Sequence, residues 1–244
     1  MVIHKLNIAI IGYGKMGKTI EKTALSRNHN VALIIDNAAD WQRNGAKLKS
    51  CDAALEFTTP ESAAGNIQKC FEEGVPVISG TTGWYQQLPF IEKLCQQHNG
   101  CLFHASNFSI GVNIFFALNK KLAGLLANLE GYQPRIIETH HTEKLDAPSG
   151  TAITLAKEII DARRSLDKWG DASENLPPNA LPVKSYRIEN ITGTHVVGYN
   201  SVIDSIEIKH TSHTRSGFAE GAIMAAEWLQ NKEGIFTMQD MLNL

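Results

Sequence analysis

The chain has 244 residues, of which 43% are hydrophobic and 20% are charged, and its formal net charge is -2. These values predict a globular protein with a core large enough for one large domain or two small ones. A charge this close to zero gives no general reason to bind nucleic acid or an anionic membrane surface, so the expected partner is a small molecule.

The cysteines and the first apolar run bear on location. Cys51, Cys70, Cys95 and Cys101 form no C-x-x-C pair and are too sparse for a disulfide framework. The apolar residues 8–11 lead straight into glycines, so this run is too short for a secretory signal or a membrane span. We expect reduced thiols, a cytoplasmic location and no membrane attachment.

Short apolar runs alternate with helical patterns from residue 6 to about residue 108. Strands are predicted at residues 7–11, 31–36, 53–57, 75–79 and 102–105, and helices at 16–27, 61–73 and 86–98. This alternation is typical of β-α units on a parallel sheet that is covered on both faces. The first part of the chain therefore reads as an α/β, doubly wound, Rossmann-type domain.

The pattern changes after residue 107. A long helix at 112–126 is followed by a strand at 135–140, a helix at 151–163 and three strand-like runs at 183–188, 194–200 and 202–210. Strands that follow one another without helices between them predict an α+β domain with a mixed or antiparallel sheet. A last helix, at 219–229, has a face of small residues and could return to the first domain.

A G-x-G-x-x-G pattern, Gly12, Gly14 and Gly17, follows the first predicted strand directly and opens a helix. Gly12 allows the tight turn, Gly14 lets the backbone approach a pyrophosphate, and Gly17 lets the helix pack closely on the strand. Asp36 ends the second predicted strand, where a carboxylate accepts hydrogen bonds from an adenosine ribose. Together these residues predict a dinucleotide site.

The same carboxylate favours NADH over NADPH, because Asp36 repels a 2′-phosphate and its neighbour Asn37 adds no compensating positive charge. Lys15 and Arg43 leave acceptance of NADPH open.

Two turns follow the fourth and fifth predicted strands, at residues 80–83 and 105–109. Ligands of open α/β sheets bind beyond the carboxyl ends of the strands, so both turns could line the nicotinamide half of a cleft. Ordinary turn chemistry explains their Gly, Thr, Asn and Ser content equally well.

The most informative segment spans residues 138–152 and holds His140, His141 and Lys144. Histidine titrates near neutral pH, which suits it to proton transfer. The two histidines lie next to each other at a predicted strand end and point to opposite faces, so a metal site built on the pair is the poorer interpretation.

A helix start follows within the same segment. Ser149 or Thr151 would cap the helix, so Gly150 and Thr151 could present N–H groups to a substrate carboxylate. Ser149 lacks the strand-turn-helix elbow of the G-x-S-x-G type, which weakens a nucleophilic role. The segment predicts a site that both grips and protonates an anion.

Nearly the whole chain resembles the 4-hydroxy-tetrahydrodipicolinate reductase (dihydrodipicolinate reductase) family of bacterial lysine and diaminopimelate synthesis. The specific matches are residues 138–141, which read Glu-Thr-His-His, residues 144–152, which read Lys-Leu-Asp-Ala-Pro-Ser-Gly-Thr-Ala, and residues 80–83 and 107–109 in the expected order.

The resemblance implies a dinucleotide-binding domain at residues 1–109, completed by residues 216–244, and a substrate-binding and oligomerisation domain at 110–215 that builds a homotetramer. It implies that His140 is the acid and Lys144 a second proton donor. Substrate contacts carry over to His141, Gly150, Thr151 and Thr82. Cofactor contacts carry over to Gly12, Tyr13, Gly14, Lys15, Met16, Asp36, Gly80, Thr81, Thr82, Ala105, Ser106, Asn107 and Phe108.

The implied reaction reduces a cyclic imine dicarboxylate that bears a 4-hydroxyl group, with loss of water and hydride transfer to C4. A cationic Lys144 and a protonated His140 would stabilise the developing negative charge and deliver a proton. Which of the two protonates first stays open.

The sequence departs from the family pattern in three places. The glycine loop is one residue short of the commonest form and has Lys15 where arginine is frequent. The stretch from Arg187 to His195 matches an Arg-x-Gly-x-Ile-x-Gly-x-His pattern, but Glu189 replaces its first glycine, so no site role is assigned to Arg187 or His195. The chain is also on the short side, which predicts trimmed loops in the second domain.

Two other functions compete with this one. Another two-domain NAD(P) oxidoreductase, such as an amino-acid or semialdehyde dehydrogenase, would share the first domain but not residues 144–151. A non-catalytic dinucleotide-sensing regulator would have lost its proton donors, whereas His140, His141 and Lys144 are present.

Overall fold

The computed structural model describes residues 4–214 and 216–244. Residue contacts divide the described chain into two compact units, one formed by residues 4–110 with 216–244 and the other by residues 111–214. Each unit has its own sheet and its own core.

The strands are, in chain order, β1 (Asn7–Ile11), β2 (Asn30–Ile35), β3 (Ala53–Glu56), β4 (Val77–Ser79), β5 (Cys101–His104), β6 (Gln133–His140), β7 (Lys168–Asp171), β8 (Ala180–Arg187), β9 (Gly193–Asn200), β10 (Ser205–Ser212) and β11 (Gly234–Phe236). The α-helices are α1 (Lys15–Ser26), α2 (Ala38–Asn44), α3 (Pro60–Glu72), α4 (Leu88–His98), α5 (Ile110–Leu126), α6 (Gly150–Ala162), α7 (Ser216–Trp228) and α8 (Met238–Leu242). Two short 3-10 helices span Gly45–Ser50 and Tyr85–Gln87.

The first unit contains six parallel strands in the order β11-β5-β4-β3-β1-β2. Alternate residues of β1 point into separate cores: Ile8 and Ile10 pack with residues of α1 and α7, while Ala9 and Ile11 pack with residues of α3 and α4. The sheet is therefore covered on both faces, and the predicted Rossmann-type doubly wound fold is confirmed.

The second unit contains a mixed sheet in the order β10-β9-β6-β8-β7. Strand β6 runs antiparallel to β9 and parallel to β8, and β7 is also parallel to β8. Residues of α5 and α6 share one core with alternate residues of β6, β8 and β9, including Ile136, Val183 and Val197. The predicted α+β arrangement with a mixed sheet is confirmed.

Several short elements escaped prediction, and one strand was placed wrongly. Strands β7 and β11 have four and three residues, and β7 ends in Gly-Asp, a pair that disfavours strands. The strand predicted at 202–210 begins instead at Ser205, because the exposed residues Val202 and Ile203 lie in the turn between β9 and β10. Hydrophobicity alone suggested a strand where the backbone reverses.

Among the residues that the structure describes, none of the helices is both long enough and apolar enough to cross a bilayer.

Two glycines inside helices of the first unit provide a matched test of packing. A Cβ at Gly221, in α7, would lie 1.8 Å from the carbonyl oxygen of Phe108, whereas a Cβ at the exposed Gly65, in α3, would meet nothing within 4 Å. Alanine improves the helix propensity at both sites by a similar amount. We expect Gly65→Ala to raise the free energy of unfolding by about 0.5–1 kcal/mol and Gly221→Ala to lower it by about 1–3 kcal/mol in urea titrations. Equal effects of the two variants would contradict the close packing of α7.

Candidate active site

The glycine loop after β1 has the geometry that a dinucleotide site requires. Gly12 has a φ of +92°, and a Cβ there would lie 2.2 Å from the carbonyl oxygen of Phe57. A Cβ at Gly17 would lie 2.2 Å from the carbonyl oxygen of Gly12. Only glycine fits at either position, so α1 starts directly against the end of β1.

Gly14 differs, because a Cβ there would meet no atom within 4 Å. It is the N-cap residue of α1, and no side chain caps this helix start. The first N–H groups of a helix lack partners within the helix and attract anions. An open glycine at an uncapped helix start fits the close approach of a pyrophosphate, so the loop suits the predicted dinucleotide.

Asp36 follows β2 and contacts the glycine loop. One of its carboxylate oxygens, Oδ1, accepts a hydrogen bond of 2.6 Å from the backbone N–H of Tyr13. The backbone N–H of Asp36 donates in turn to Asp40, which pairs with Arg43 at 3.3 Å. Two carboxylates thus lie at this corner, and the guanidinium of Arg43 is already paired with Asp40.

A cleft of about 370 Å³ opens beyond the carboxyl ends of the strands in the first unit. It brings together seven of the predicted cofactor residues, namely Met16, Gly80, Thr81, Thr82, Ser106, Asn107 and Phe108. Six other predicted cofactor residues do not line it. Four of them form the glycine loop, Asp36 contacts that loop, and Ala105 directly follows β5; the loop residues are Gly12, Tyr13, Gly14 and Lys15. The cleft also includes residues that the sequence did not single out: Phe57, Thr58, Pro60 and Phe218.

A fully buried carboxylate, Glu56, lies behind this cleft at the end of β3. It accepts hydrogen bonds from Ser79 (2.7 Å), Thr81 (3.0 Å) and Thr58. The hydroxyl of Thr81 also accepts from the backbone N–H of Thr58, at 2.8 Å. Because a buried charge requires such partners, Glu56 fixes two residues that line the cleft.

The second unit places its polar residues by strand alternation. Along β6, Pro134, Ile136, Glu138 and His140 are buried while the residues between them are less so. The sheet pairs Glu138 with Ser185 on β8 and with His195 on β9, and it pairs His140 with Arg187. Sheet register thus gathers a carboxylate, two imidazoles and a guanidinium in one place.

Glu138 is the centre of this cluster and is fully buried. Its carboxylate accepts from the backbone N–H of Ser149 at 3.1 Å and from the hydroxyl of Ser185 at 2.8 Å, and Arg187 lies 3.6 Å away. Burial alone would raise the pKa of this carboxyl, but interactions with His195, Ser149 and Ser185 outweigh it and lower the pKa to about 2. Glu138 is therefore anionic throughout the physiological range.

His140 lies beside this charge, with Nδ1 at 3.6 Å from Oε2 of Glu138. Burial, followed by repulsion from His195, lowers the pKa of His140 to about 4 despite the attraction of Glu138. The imidazole is thus neutral at pH 7 in the ligand-free protein. The protonated state that a proton donor needs requires an additional negative charge, such as that of a dicarboxylate ligand.

The predicted Lys144 lies on the turn after β6, where its ammonium bonds both carboxylate oxygens of Asp146 at 2.7 Å. The Lys144 ammonium holds the pKa of Asp146 below its usual range. Arg187 secures the same turn by donating to the carbonyl oxygens of Lys144 (3.1 Å) and Asp146 (2.6 Å). Lys144 thus lies on a turn that Arg187 holds in place, and its ammonium is paired with the exposed Asp146.

The predicted helix start is α6, and its cap is Ser149, whose hydroxyl accepts from the N–H of Ala152 at 3.2 Å. Gly150 and Thr151 therefore occupy the first two helical positions, whose N–H groups have no acceptor within the helix. A Cβ at Gly150 would meet nothing within 4 Å, so the approach to these groups is open. His141, one residue past β6, is half-buried.

Two other chemistries fit the cluster less well. Ser149, His195 and Glu138 suggest a hydrolase triad by composition, but Ser149 and Glu138 both face Nε2 of His195, at 3.1 and 3.6 Å, whereas a triad needs them on opposite ring nitrogens. Glu138, His140 and His195 offer metal-ligand atoms within 4.8 Å of one another. The carboxylate and His195 already have hydrogen-bond partners, so we assign no metal to this set.

Sequence reasoning did not assign site roles to Glu138, Ser185, Arg187 and His195. The substitution by Glu189 argued against Arg187 and His195, yet both side chains contact Glu138. Strand alternation could have revealed Glu138, because it lies two residues before His140 and so on the same face of β6. The partners from β8 and β9 depend on strand order and register, which the sequence did not predict.

A Rossmann-type unit combined with a second unit that holds a buried cluster of acidic and basic side chains is typical of nicotinamide-dependent oxidoreductases. Family models for the N-terminus and the C-terminus of dihydrodipicolinate reductase match residues 6–108 and 111–242. The chain therefore belongs to the dihydrodipicolinate reductase family, and the family resemblance noted from the sequence is confirmed.

Individual relatives agree with this assignment. A 4-hydroxy-tetrahydrodipicolinate reductase of Christiangramia forsetii is 44% identical over 98% of both chains, and one of Chromobacterium violaceum is 36% identical over 98% of both. A solved dihydrodipicolinate reductase from Paenisporosarcina sp. TG-14, with dipicolinate bound, shares the fold with a TM-score of 0.76 and 22% identity, covering 98% of this chain and 100% of that one. The alternative oxidoreductase and regulator functions are not favoured.

The lowered pKa of His140 predicts a loss of stability in acid. Because the folded pKa of about 4 lies below the reference value of 6.5, this contribution is complete above pH 6.5 and is lost as the pH falls toward 4. Between pH 7 and pH 5 it amounts to about 2 kcal/mol. In urea unfolding at both pH values, His140→Gln should reduce the pH dependence by that amount. Parallel pH dependence in wild type and His140→Gln would show that His140 is not held neutral.

Proposed function

We propose that this protein is a 4-hydroxy-tetrahydrodipicolinate reductase, which converts (2S,4S)-4-hydroxy-2,3,4,5-tetrahydrodipicolinate to tetrahydrodipicolinate and water in lysine and diaminopimelate synthesis. The observation that carries the proposal is the segment from Glu138 to Thr151. It combines a buried His140, a braced Lys144 and the open N-terminus of α6 within one unit of a chain from this reductase family.

The substrate is a dicarboxylate, and the second unit offers matching donors. We propose that the N–H groups of Gly150 and Thr151 receive one carboxylate, because they begin α6 and the approach to Gly150 is open. His141 and Thr82 are further substrate contacts in the proposal. Lys144, now paired with Asp146, would exchange that exposed carboxylate for the substrate.

His140 and Lys144 carry the acid–base chemistry in this proposal. A bound reduced nicotinamide supplies the hydride, which is the cofactor's own chemistry. As the ring is reduced, negative charge grows toward its nitrogen and carboxylates, and Lys144 stabilises that charge. Dicarboxylate binding favours the protonated form of His140, which lets it deliver a proton near neutral pH.

NADH is the proposed cofactor in preference to NADPH. Asp36 and Asp40 place two carboxylates where a 2′-phosphate would bind, and Arg43 is paired with Asp40. Gly12, Tyr13, Gly14, Lys15 and Met16 would hold the pyrophosphate side, while Gly80, Thr81, Thr82, Ala105, Ser106, Asn107 and Phe108 would hold the remainder.

A homotetramer in the cytoplasm is part of the same proposal and rests first on the family resemblance. The second unit exposes several large apolar side chains, among them Leu118, Leu125, Val202 and Ile203, which suit an interface between copies. All four cysteines are buried free thiols, in keeping with a reducing compartment.

The proposal is tested by steady-state kinetics with NADH and the condensation product of pyruvate and aspartate semialdehyde. We expect turnover by the wild type and a fall in kcat of about 100-fold or more in His140→Gln and in Lys144→Ala, because each removes a proton donor. The dissociation constant for NADH should change little. Lys184→Ala is a matched control, since Lys184 also pairs with an exposed aspartate, Asp171, in the same unit. A protein that binds NADH but turns over with neither cofactor would refute the proposal.

Cofactor preference is tested separately by binding, with no need for turnover. Asp36→Asn keeps an oxygen for the N–H of Tyr13 but removes the charge, so the ratio of affinities should shift toward NADPH by about fivefold or more, close to 1 kcal/mol. Asp52→Asn is the control, because Asp52 likewise accepts a backbone N–H, that of Asn7, at the opposite ends of the strands. An unchanged ratio in Asp36→Asn would mean that this carboxylate does not read the ribose.

A further inference from the structure

Two imidazoles face a single oxygen of the buried carboxylate of Glu138. Nδ1 of His140 and Nε2 of His195 both lie 3.6 Å from Oε2. The two rings meet edge to face with centroids 5.0 Å apart. The same oxygen also accepts from the backbone N–H of Ser149 at 3.1 Å, so the two imidazoles compete for its remaining acceptor capacity.

His195 has another partner and His140 does not. Nε2 of His195 lies 3.1 Å from the hydroxyl of Ser149, which belongs to the N-cap of α6. Among the described residues, Nδ1 of His140 has no hydrogen-bond partner, and the side chain is only 9% exposed, so the atom is also shielded from solvent. The polar atom that lacks a partner therefore lies beside a carboxylate that has room for it.

The His140 ring packs closely against β9. A Cβ at Gly193, on that strand, would lie 3.1 Å from Cδ2 and 3.2 Å from Nε2 of His140, so a side chain there would require the ring to shift by a few tenths of an ångström. Besides Glu138 on its own strand, the charged or titratable groups that act on His140 are His195 on β9, Arg187 on β8 and Lys144 on the following turn. Glu138 is the one group of these four that favours the imidazolium.

We propose that Glu138 is the positioning residue for the proton donor: its Oε2 accepts the Nδ1 proton of His140, which directs the transferable proton to Nε2. In the transfer step the Nε2–H bond breaks, and the proton forms a new bond to the substrate-ring atom that holds the electron pair left by hydride addition. The imidazolium becomes a neutral imidazole, which keeps the proton on Nδ1 and the hydrogen bond from Nδ1–H to Glu138. No electrons are exchanged with the protein. The inference rests on the proposed function in taking His140 as that donor.

His195 has a supporting part in this arrangement. Its Nε2 lies closer to the hydroxyl of Ser149 (3.1 Å) than to Oε2 (3.6 Å), and the backbone N–H of Ser149 and the hydroxyl of Ser185 hold the carboxylate in place. Glu138 therefore links the helix start that would bind a substrate carboxylate to the imidazole that would protonate the same substrate.

The pH profile of kcat distinguishes positioning from a purely structural role. An acid loses activity as the pH rises through its pKa, and an anion at this distance raises that pKa by about 1–3 units. In Glu138→Gln we expect the alkaline inflection to move to lower pH by about one unit or more, with a fall of tenfold or more in kcat above it. Glu138→Asp should restore part of the shift. Glu207→Gln removes a carboxylate that pairs with Arg135, on the alternate positions of β6, and should leave the inflection in place.

A uniform fall in kcat of Glu138→Gln with an unmoved inflection would overturn the proposal. If that variant does not fold, ¹⁵N NMR of the histidine-labelled wild type with NADH and pyridine-2,6-dicarboxylate decides instead, with His140→Gln identifying the signal. Protonated Nδ1 of His140 supports the proposal and bare Nδ1 overturns it. This readout requires no turnover, so it separates failure of the inference from failure of the proposed function, which the wild-type kinetics report.

Discussion

The arrangement of both units depends on the cost of burying a carboxylate. Glu56 and Glu138 are fully buried, and each ends up surrounded by hydroxyl or backbone donors from separate segments of its own unit. An unpaired charge in such a place would cost several kcal/mol, so the segments that supply the donors are held in one arrangement. In the first unit those segments line the cleft beyond the strand ends, and in the second they form the cluster around Glu138 and the start of α6. Polar satisfaction thus sets the geometry of both sites.

Strand alternation and sheet register bring the polar residues around Glu138 together. Because side chains alternate along β6, the face that carries Ile136 into the core also carries Glu138 and His140 inward. Neighbouring strands then deliver Ser185, His195 and Arg187 to the same row. A slip of one residue would turn every member of the row to the opposite face, so the hydrophobic core indirectly maintains the acid–base cluster.

Much of the fold could be predicted, since β-α alternation and helical spacing are local patterns that repeat over long segments of the sequence. Very short elements such as β11 could not, because three residues carry too little pattern. For the candidate site, the sequence pointed to His140, Lys144 and the Gly150–Thr151 helix start, which lie close together in the chain. Glu138 was accessible by strand parity, whereas Ser185 and His195 lie 47 and 46 residues from their partners and are joined to them only by sheet topology. The neutral state of His140 also depends on burial, which no motif encodes.

The guanidinium of Arg187 contacts the turn after β6 through main-chain oxygens, those of Lys144 and Asp146, and not through their side chains. Every amino acid provides the same carbonyl group. These hydrogen bonds to the turn consequently do not depend on which side chains it carries. Leu145, which is almost wholly exposed, can be substituted without displacing its neighbours. Evolution could therefore change the side chains of this turn by substitution and leave its backbone conformation intact.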